Sequence, residues 1–141
     1  MTVLLVDVSS GMDALLPALK RSLFIFVHSQ LVFKPDNEVA LLLFGTEGTD
    51  NDLHEEMKNR KKRGQYLHVK EIKLLRPPDL KYLEAVEGIT AEKGTTNYAD
   101  ALTVAIDCLK RRLAVMTDPT KYPRRILIFS NFNAEVTDTV L

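Results

Sequence analysis

Three polar runs carry the residues able to do chemistry, and each sits where an apolar segment ends or a helix begins. Val3-Leu4-Leu5-Val6 gives way at once to Asp7-Val8-Ser9-Ser10-Gly11. Gly94-Thr95-Thr96-Asn97 opens a second helical stretch, and Ile126-Leu127-Ile128-Phe129 ends in Ser130-Asn131. Carboxylate, hydroxyl and amide oxygens gathered at strand ends are the donors that a hard cation such as magnesium takes in a near-octahedral shell. The candidate set is Asp7, Ser9, Thr96 and Asn131, with Gly11 adding no side-chain oxygen. One carboxylate, two hydroxyls and a neutral amide make a weak cage, because charge count is a main determinant of such affinities. The same residues have a second use. Asp7 and Ser9 can cap the first helix, and Thr96 or Asn97 the third. The shortage of negative charge favours caps, with no resident metal and no other cofactor.

The elements that must bring these runs together are legible from hydrophobic patterning. Val3 to Val8 reads as a parallel strand buried on both faces, since its apolar residues run without alternation. Met12, Leu15, Leu16, Leu19, Leu23, Phe26, Val27 and Leu31 recur at three- and four-residue spacing, which predicts a helix from about Asp13 to Val32. Asp13 is its expected cap, and Pro17 fits its first turn. Glu38 to Phe44 is a second buried strand stopped by Gly45. Thr46 to Gly64 reads as a long polar connection. Tyr66 to Leu74 alternates like a half-exposed edge strand. Asp79 caps a short helix through Val86, Asn97 to Val115 is a longer helix expected to be deeply packed, and Ile126 to Phe129 is a buried strand. The order predicts an α/β fold: an open, mostly parallel, doubly wound (Rossmann-like) sheet with one antiparallel edge strand. In such sheets ligands bind beyond the carboxyl ends of the strands where strand order reverses, which is where Asp7, Ser9, Thr96 and Asn131 would converge. Residues 1–141 form one domain. The short tail after the last strand leaves that strand's far edge uncovered, so the domain is expected to be incomplete at its C-terminus.

Composition narrows the function classes. Nineteen basic and nineteen acidic residues cancel, so no global field attracts a polyanion. Cys108 is the single cysteine and sits on an apolar helix face, while His28, His54 and His68 share no spacing with acids or with it. The first apolar run is cut by Asp7, too early for a signal segment or a membrane span. No Gly-x-x-x-x-Gly-Lys-[Ser/Thr] run occurs, and no serine has an evident histidine base, so no catalytic residue is assigned. One local exception to neutrality stands out. Lys58, Arg60, Lys61, Lys62 and Arg63 put five cations among six residues, which could touch phosphate or act as a nuclear-import signal. With Glu55-Glu56 before them and no aromatics between them, a solvated loop is the competing reading.

The three polar runs resemble the metal site of von Willebrand factor A-like domains. Those domains hold magnesium with Asp-x-Ser-x-Ser, a threonine before a helix and an aspartate ending the fourth strand. Asp7 and Ser9 match, Gly11 stands in place of the second serine, Thr96 matches with the doubled Thr95-Thr96 leaving the register open by one, and Asn131 replaces the aspartate. Glu38-Val39-Ala40-Leu41-Leu42-Leu43-Phe44-Gly45-Thr46-Glu47-Gly48-Thr49-Asp50-Asn51, continuing to Leu53, resembles the second strand and following loop of the larger (Ku-eighty) subunit of Ku. The Asp100-Ala101-Leu102 run and a degenerate metal site are similar to the same family, whereas the strongly basic stretch from His54 to Gly64 departs from it. The resemblance implies a nuclear, non-catalytic interaction domain. It would support a heterodimer with the smaller Ku subunit and dock short peptide motifs of repair factors, in double-strand break repair by non-homologous end joining and in telomere maintenance. Double-stranded DNA ends would be bound by the full-length complex and weakly by this segment, and no membrane is involved. Leu53 and Tyr66 carry over to the peptide-docking surface, where arginine at Leu53 is expected to abolish capture without unfolding the domain. Ku subunits are often labelled ATP-dependent helicases, which this sequence does not support with any nucleotide-binding motif. The alternative is a metal-dependent A-like adhesion or scaffold module unrelated to DNA repair.

Overall fold

Every residue of the first strand, β1 (Thr2–Asp7), is buried, and helices on both sides of the sheet are the cause. A computed structural model describes residues 1–134. After β1 come a 3-10 turn (Ser10–Met12), α1 (Leu16–Phe33), β2 (Val39–Phe44), α2 (Asp52–Asn59), β3 (Val69–Arg76), α3 (Leu80–Glu87), α4 (Tyr98–Ala114), a second 3-10 turn (Pro119–Lys121) and β4 (Arg125–Phe129). The four strands lie in the order β3-β2-β1-β4. β1 runs parallel to both neighbours, Leu4 opposite Leu41 on one side and Leu127 on the other, and β3 is antiparallel to β2. This is the expected α/β class: an open, mostly parallel sheet with one antiparallel edge strand.

Side chains alternate across the two faces, as the strand period requires. Val3, Leu5, Ala40, Leu42 and Phe44 meet Leu53 of α2 and Ala101, Val104, Ala105, Cys108 and Leu109 of α4. Leu4, Val6, Leu41 and Leu43 meet Leu16, Leu23 and Val27 of α1 and Tyr82 and Val86 of α3. Burial of each valine, leucine or phenylalanine among them is worth about 1.5–3 kcal/mol, so the central strands β1 and β2 anchor the domain. Among the described residues no helix is long and apolar enough to cross a membrane.

Several expectations are corrected. α1 begins at Leu16 rather than Asp13. Its N-cap position is Leu15, and Asp13 instead ends the preceding 3-10 turn. The connection after β2 is not all loop, since α2 lies within it, capped by Asn51 Oδ1, which accepts from the His54 amide at 2.7 Å. β3 starts at Val69, and Tyr66 does not open it. Tyr66 and His68 have φ of 56° and 62°, left-handed values that interrupt an extended strand. α4 is buried along one face only, with Ile106 and the C-cap residue Val115 exposed. β4 is half-buried instead of fully buried, because among the described residues it pairs with β1 alone. The expected C-terminal truncation concerns residues 135–141 in part, which lie outside the described residues.

Two glycines fix the approach of distant runs. Gly45 has φ of +75° at the end of β2, and a Cβ there would lie 3.1 Å from Thr96 Oγ1 and 3.0 Å from the Ser9 backbone nitrogen. A Cβ on Gly94 would fall 1.8 Å from the Thr46 carbonyl oxygen, so only glycine lets the chain approach the turn after β2 and donate its amide to the Gly45 carbonyl at 3.1 Å.

Candidate functional site

The parallel pairing of β1 with both β2 and β4 places their carboxyl ends together, and the polar runs converge there. Asp7 is 1% exposed at the end of β1. One of its carboxylate oxygens accepts the Ser9 amide at 2.9 Å, and the other accepts the Ser130 hydroxyl at 2.6 Å. Ser130 Oγ also accepts the Phe132 amide at 3.0 Å and lies 3.3 Å from the Tyr98 hydroxyl. Asn131 turns the other way. Its side-chain amide donates to the Gly11 carbonyl at 3.1 Å, and its oxygen accepts the Asn133 amide at 3.1 Å. Thr96 lies over Gly45, beside Ser9. Asp7, Ser9, Gly11, Thr96 and Asn131 are thus one neighbourhood.

The capping reading holds in part. Asn97 Oδ1 accepts the Asp100 amide at 3.1 Å and caps α4, whereas neither Asp7 nor Ser9 caps α1. The fit to a divalent ion fails on the donor set. Both oxygens of the Asp7 carboxylate are engaged by the chain's own donors, and Asn131 presents N–H groups toward Gly11 where an ion would need oxygen. Among the described residues no group of three or more His, Cys, Asp or Glu side chains could hold a metal. The residue that completes the Asp7 network is Ser130, and Tyr98 supports it through edge-on packing against Phe44 at 5.8 Å and contact with Phe132 at 5.7 Å. Sequence reasoning passed over both. The signal available for Ser130 was its place directly after the β4 apolar run.

The second candidate surface lies on the α2/α4 side. Leu53 is 9% exposed, in the hydrophobic core with Phe44, Val69 and Leu75, and Tyr66 is half-buried against the same cluster. Arginine at Leu53 would therefore bury a charge, which corrects the expectation that it leaves the fold intact. Near Leu53 is a groove of about 220 Å³ lined by the apolar Leu74, Leu75, Cys108 and Val115 and by the charged Asp52, Glu71, Arg111 and Arg112. Burial raises the Glu71 carboxyl above its ordinary pKa, partly offset by the Asp52 amide that it accepts at 2.6 Å. Burial likewise pushes the Cys108 thiol up to about 12. Arg111 is held in its charged form chiefly by its hydrogen bond to Asp107. Nothing in the sequence signalled this groove, because its walls come from three separate elements.

Lys58, Arg60, Lys61, Lys62 and Arg63 lie at the C-terminal end of α2 and in the turn beyond it, all exposed. Lys61 has φ of 64°. Its amide donates to the Lys58 carbonyl at 3.0 Å, and the Lys62 amide to the Met57 carbonyl at 2.8 Å, which is the Schellman pattern of a helix terminus.

No protein-family model matches the chain. Curated relatives do. It is 28% identical over 132 residues to "ATP-dependent DNA helicase 2 subunit KU80" of Oryza sativa subsp. japonica, covering 87% of this chain and 18% of that protein. The protein of the same name in Arabidopsis thaliana is 28% identical over 134 residues, 86% of this chain and 19% of its own. "X-ray repair cross-complementing protein 5" of Xenopus laevis is 29% identical over 129 residues, 89% of this chain and 16% of its own. The chain spans less than a fifth of the length of these relatives. Over most of its length, then, the chain is similar to Ku80 subunits, the family that its run from Glu38 to Leu53 resembles.

Proposed function

We propose that this chain is an A-like interaction domain of a Ku subunit acting in the nucleus, in double-strand break repair by non-homologous end joining and in telomere maintenance. It would act without catalysis, as part of a heterodimer with a smaller Ku subunit whose full-length complex binds double-stranded DNA ends. The observation that carries this reading is the match to Ku80 subunits over 87% of the chain. The self-satisfied Asp7 network supports a scaffold over a metal-dependent adhesion module. The helicase in the relatives' name has no counterpart in a nucleotide-binding motif of this sequence.

Docking of short repair-factor peptides is assigned to the α2/α4 groove. Its volume suits one large apolar side chain, and the acids and arginines that line it suit a peptide of mixed charge. Leu53 and Tyr66 act there by holding α2 and the following turn in place. Leu74 and Val115 are 53% and 72% exposed, so Leu74→Glu and Val115→Arg can alter the groove without disturbing the core. Co-expression of the full-length chain with the smaller Ku subunit should give a complex that co-purifies, and failure to do so sinks the subunit reading. Peptides of repair factors should bind the 141-residue chain and lose at least tenfold in affinity with Val115→Arg; equal binding by the variant removes the groove from the function.

A further inference from the structure

We infer that the basic turn closing α2 is a phosphate-contacting surface for the backbone of double-stranded DNA, separate from the peptide groove. The chain's charges sum to zero, so contact with a polyanion must come from a local concentration of cations. Arg111 pairs with Glu56 at 2.8 Å and with Asp107, Arg112 with Glu38 at 2.7 Å, and Lys70 with Glu92 at 3.5 Å. Within the turn only Arg60 is paired, at 3.0 Å to the same Glu56 that Arg111 already holds. Among the described residues Lys58, Lys61, Lys62 and Arg63 form no ion pair, and all four are exposed. Four cations without an ion pair are therefore concentrated within six residues.

The turn is also built to present them in a fixed shape. A lysine occupies the left-handed position where glycine is usual, and the Lys61 and Lys62 amides are both tied to α2 carbonyls. His54 Nδ1 lies 2.8 Å from the Gln65 carbonyl oxygen, pinning the return of the loop to the start of the helix. A receptor that reads basic peptides in extended form would have to unwind this segment. A backbone-tied, exposed cluster of point charges instead suits a polyanion whose charges are regularly spaced. No aromatic residue interrupts the run from Lys58 to Arg63, so there is no stacking platform for unpaired bases, and the contact is to duplex backbone without sequence preference.

The test is fluorescence anisotropy of the 141-residue chain with a labelled duplex of about 25 base pairs across a salt series. Four phosphate contacts predict a log–log salt slope of about −3.6, so affinity falls about 100-fold between roughly 50 and 200 mM salt. The variant Lys58→Gln/Lys61→Asn/Lys62→Gln/Arg63→Gln should bring the slope to about −1 or shallower, asparagine being chosen because it tolerates the left-handed backbone. If that variant fails to melt cooperatively, Lys62→Gln/Arg63→Gln alone should reduce the slope by about 2. No binding by the native chain at about 25 mM salt, an unchanged slope in the variants, or polyglutamate binding as tightly as duplex at equal charge would each overturn the inference. None of these results bears on the groove, whose variants lie on β3 and at the C-cap of α4.

Discussion

Two polar regions lie on this domain, and they dispose of charge in opposite ways. At the carboxyl ends of β1 and β4 a buried carboxylate spends both oxygens on the chain's own donors, Ser9 and Ser130. At the end of α2 four cations stand in solvent and, among the described residues, form no ion pair. The first region has the layout of a ligand site and the chemistry of a structural joint. The second keeps its charge available in solvent. A functional surface is better recognised by which interactions the fold leaves unmade than by where the fold usually binds things.

The comparison can be pressed hardest at the residues that hold each region in place. Leu53 anchors α2, and with it the basic turn, to the core. Leu53→Ala should lower unfolding stability by about 3 kcal/mol in urea melts, and a loss below about 1 kcal/mol would mean α2 is docked by other contacts. At the mouth, Asp7→Ala strands the Ser9 amide and the Ser130 hydroxyl in a buried place. A loss of about 2–3 kcal/mol is expected, unchanged by millimolar magnesium or by chelator. Magnesium-dependent stability of the native chain would turn the joint back into an ion site. Asn131→Asp sharpens this further. It replaces a donor to the Gly11 carbonyl by a second carboxylate, so the apo domain should lose about 1–2 kcal/mol. A Cβ at Gly11 would sit 3.4 Å from the Asn131 amide nitrogen, close enough that Gly11→Ser can be accommodated with a small shift. Gly11→Ser/Asn131→Asp should therefore show a magnesium-dependent rise in melting temperature that the native chain lacks; no rise would mean that the loop geometry, as well as the charge, has moved away from metal binding.

How far the sequence could be read follows from the same distinction between local and distant causes. The interiors of β1 and β2 were legible because both faces are covered, and a run such as Val39-Ala40-Leu41-Leu42-Leu43-Phe44 has no exposed register to obscure it. α3 was legible because Asp79 accepts the Tyr82 amide at 3.1 Å, a contact local in sequence. α2 was not. Its eight residues bury only Leu53, and it is placed by Asn51, whose side-chain amide reaches the Tyr66 and Val69 carbonyls at 3.0 and 2.9 Å. The start of β3 was misplaced for a related reason. His68 is held left-handed by Thr49 and Thr46, whose contacts no periodicity reports. At the mouth, Asp7, Ser9, Thr96 and Asn131 were readable as residues at element boundaries, whereas Ser130 as the partner of Asp7 depended on which side chain faces inward where β4 ends. One residue of register decides that.

The smallest effect tests the α2 side through titration. Glu71 receives the Asp52 amide at the start of α2, and burial raises its folded-state pKa above 4.5. A carboxyl raised on folding binds more protons in the native than in the unfolded state over the interval between its two pKa values. Stability therefore falls as pH rises through that interval, and the penalty persists at neutral pH. Glutamine can still accept the amide bond but carries no charge to desolvate. Glu71→Gln should accordingly match the native chain below pH about 4 and exceed its stability by a small margin at pH 7, read as a pH-dependent difference in melting temperature. An equal difference at both pH values would assign the effect to packing. A native chain more stable than the variant at pH 7 would mean that the charge itself holds the start of α2, and that this region, like the mouth, has a carboxylate at work in its structure.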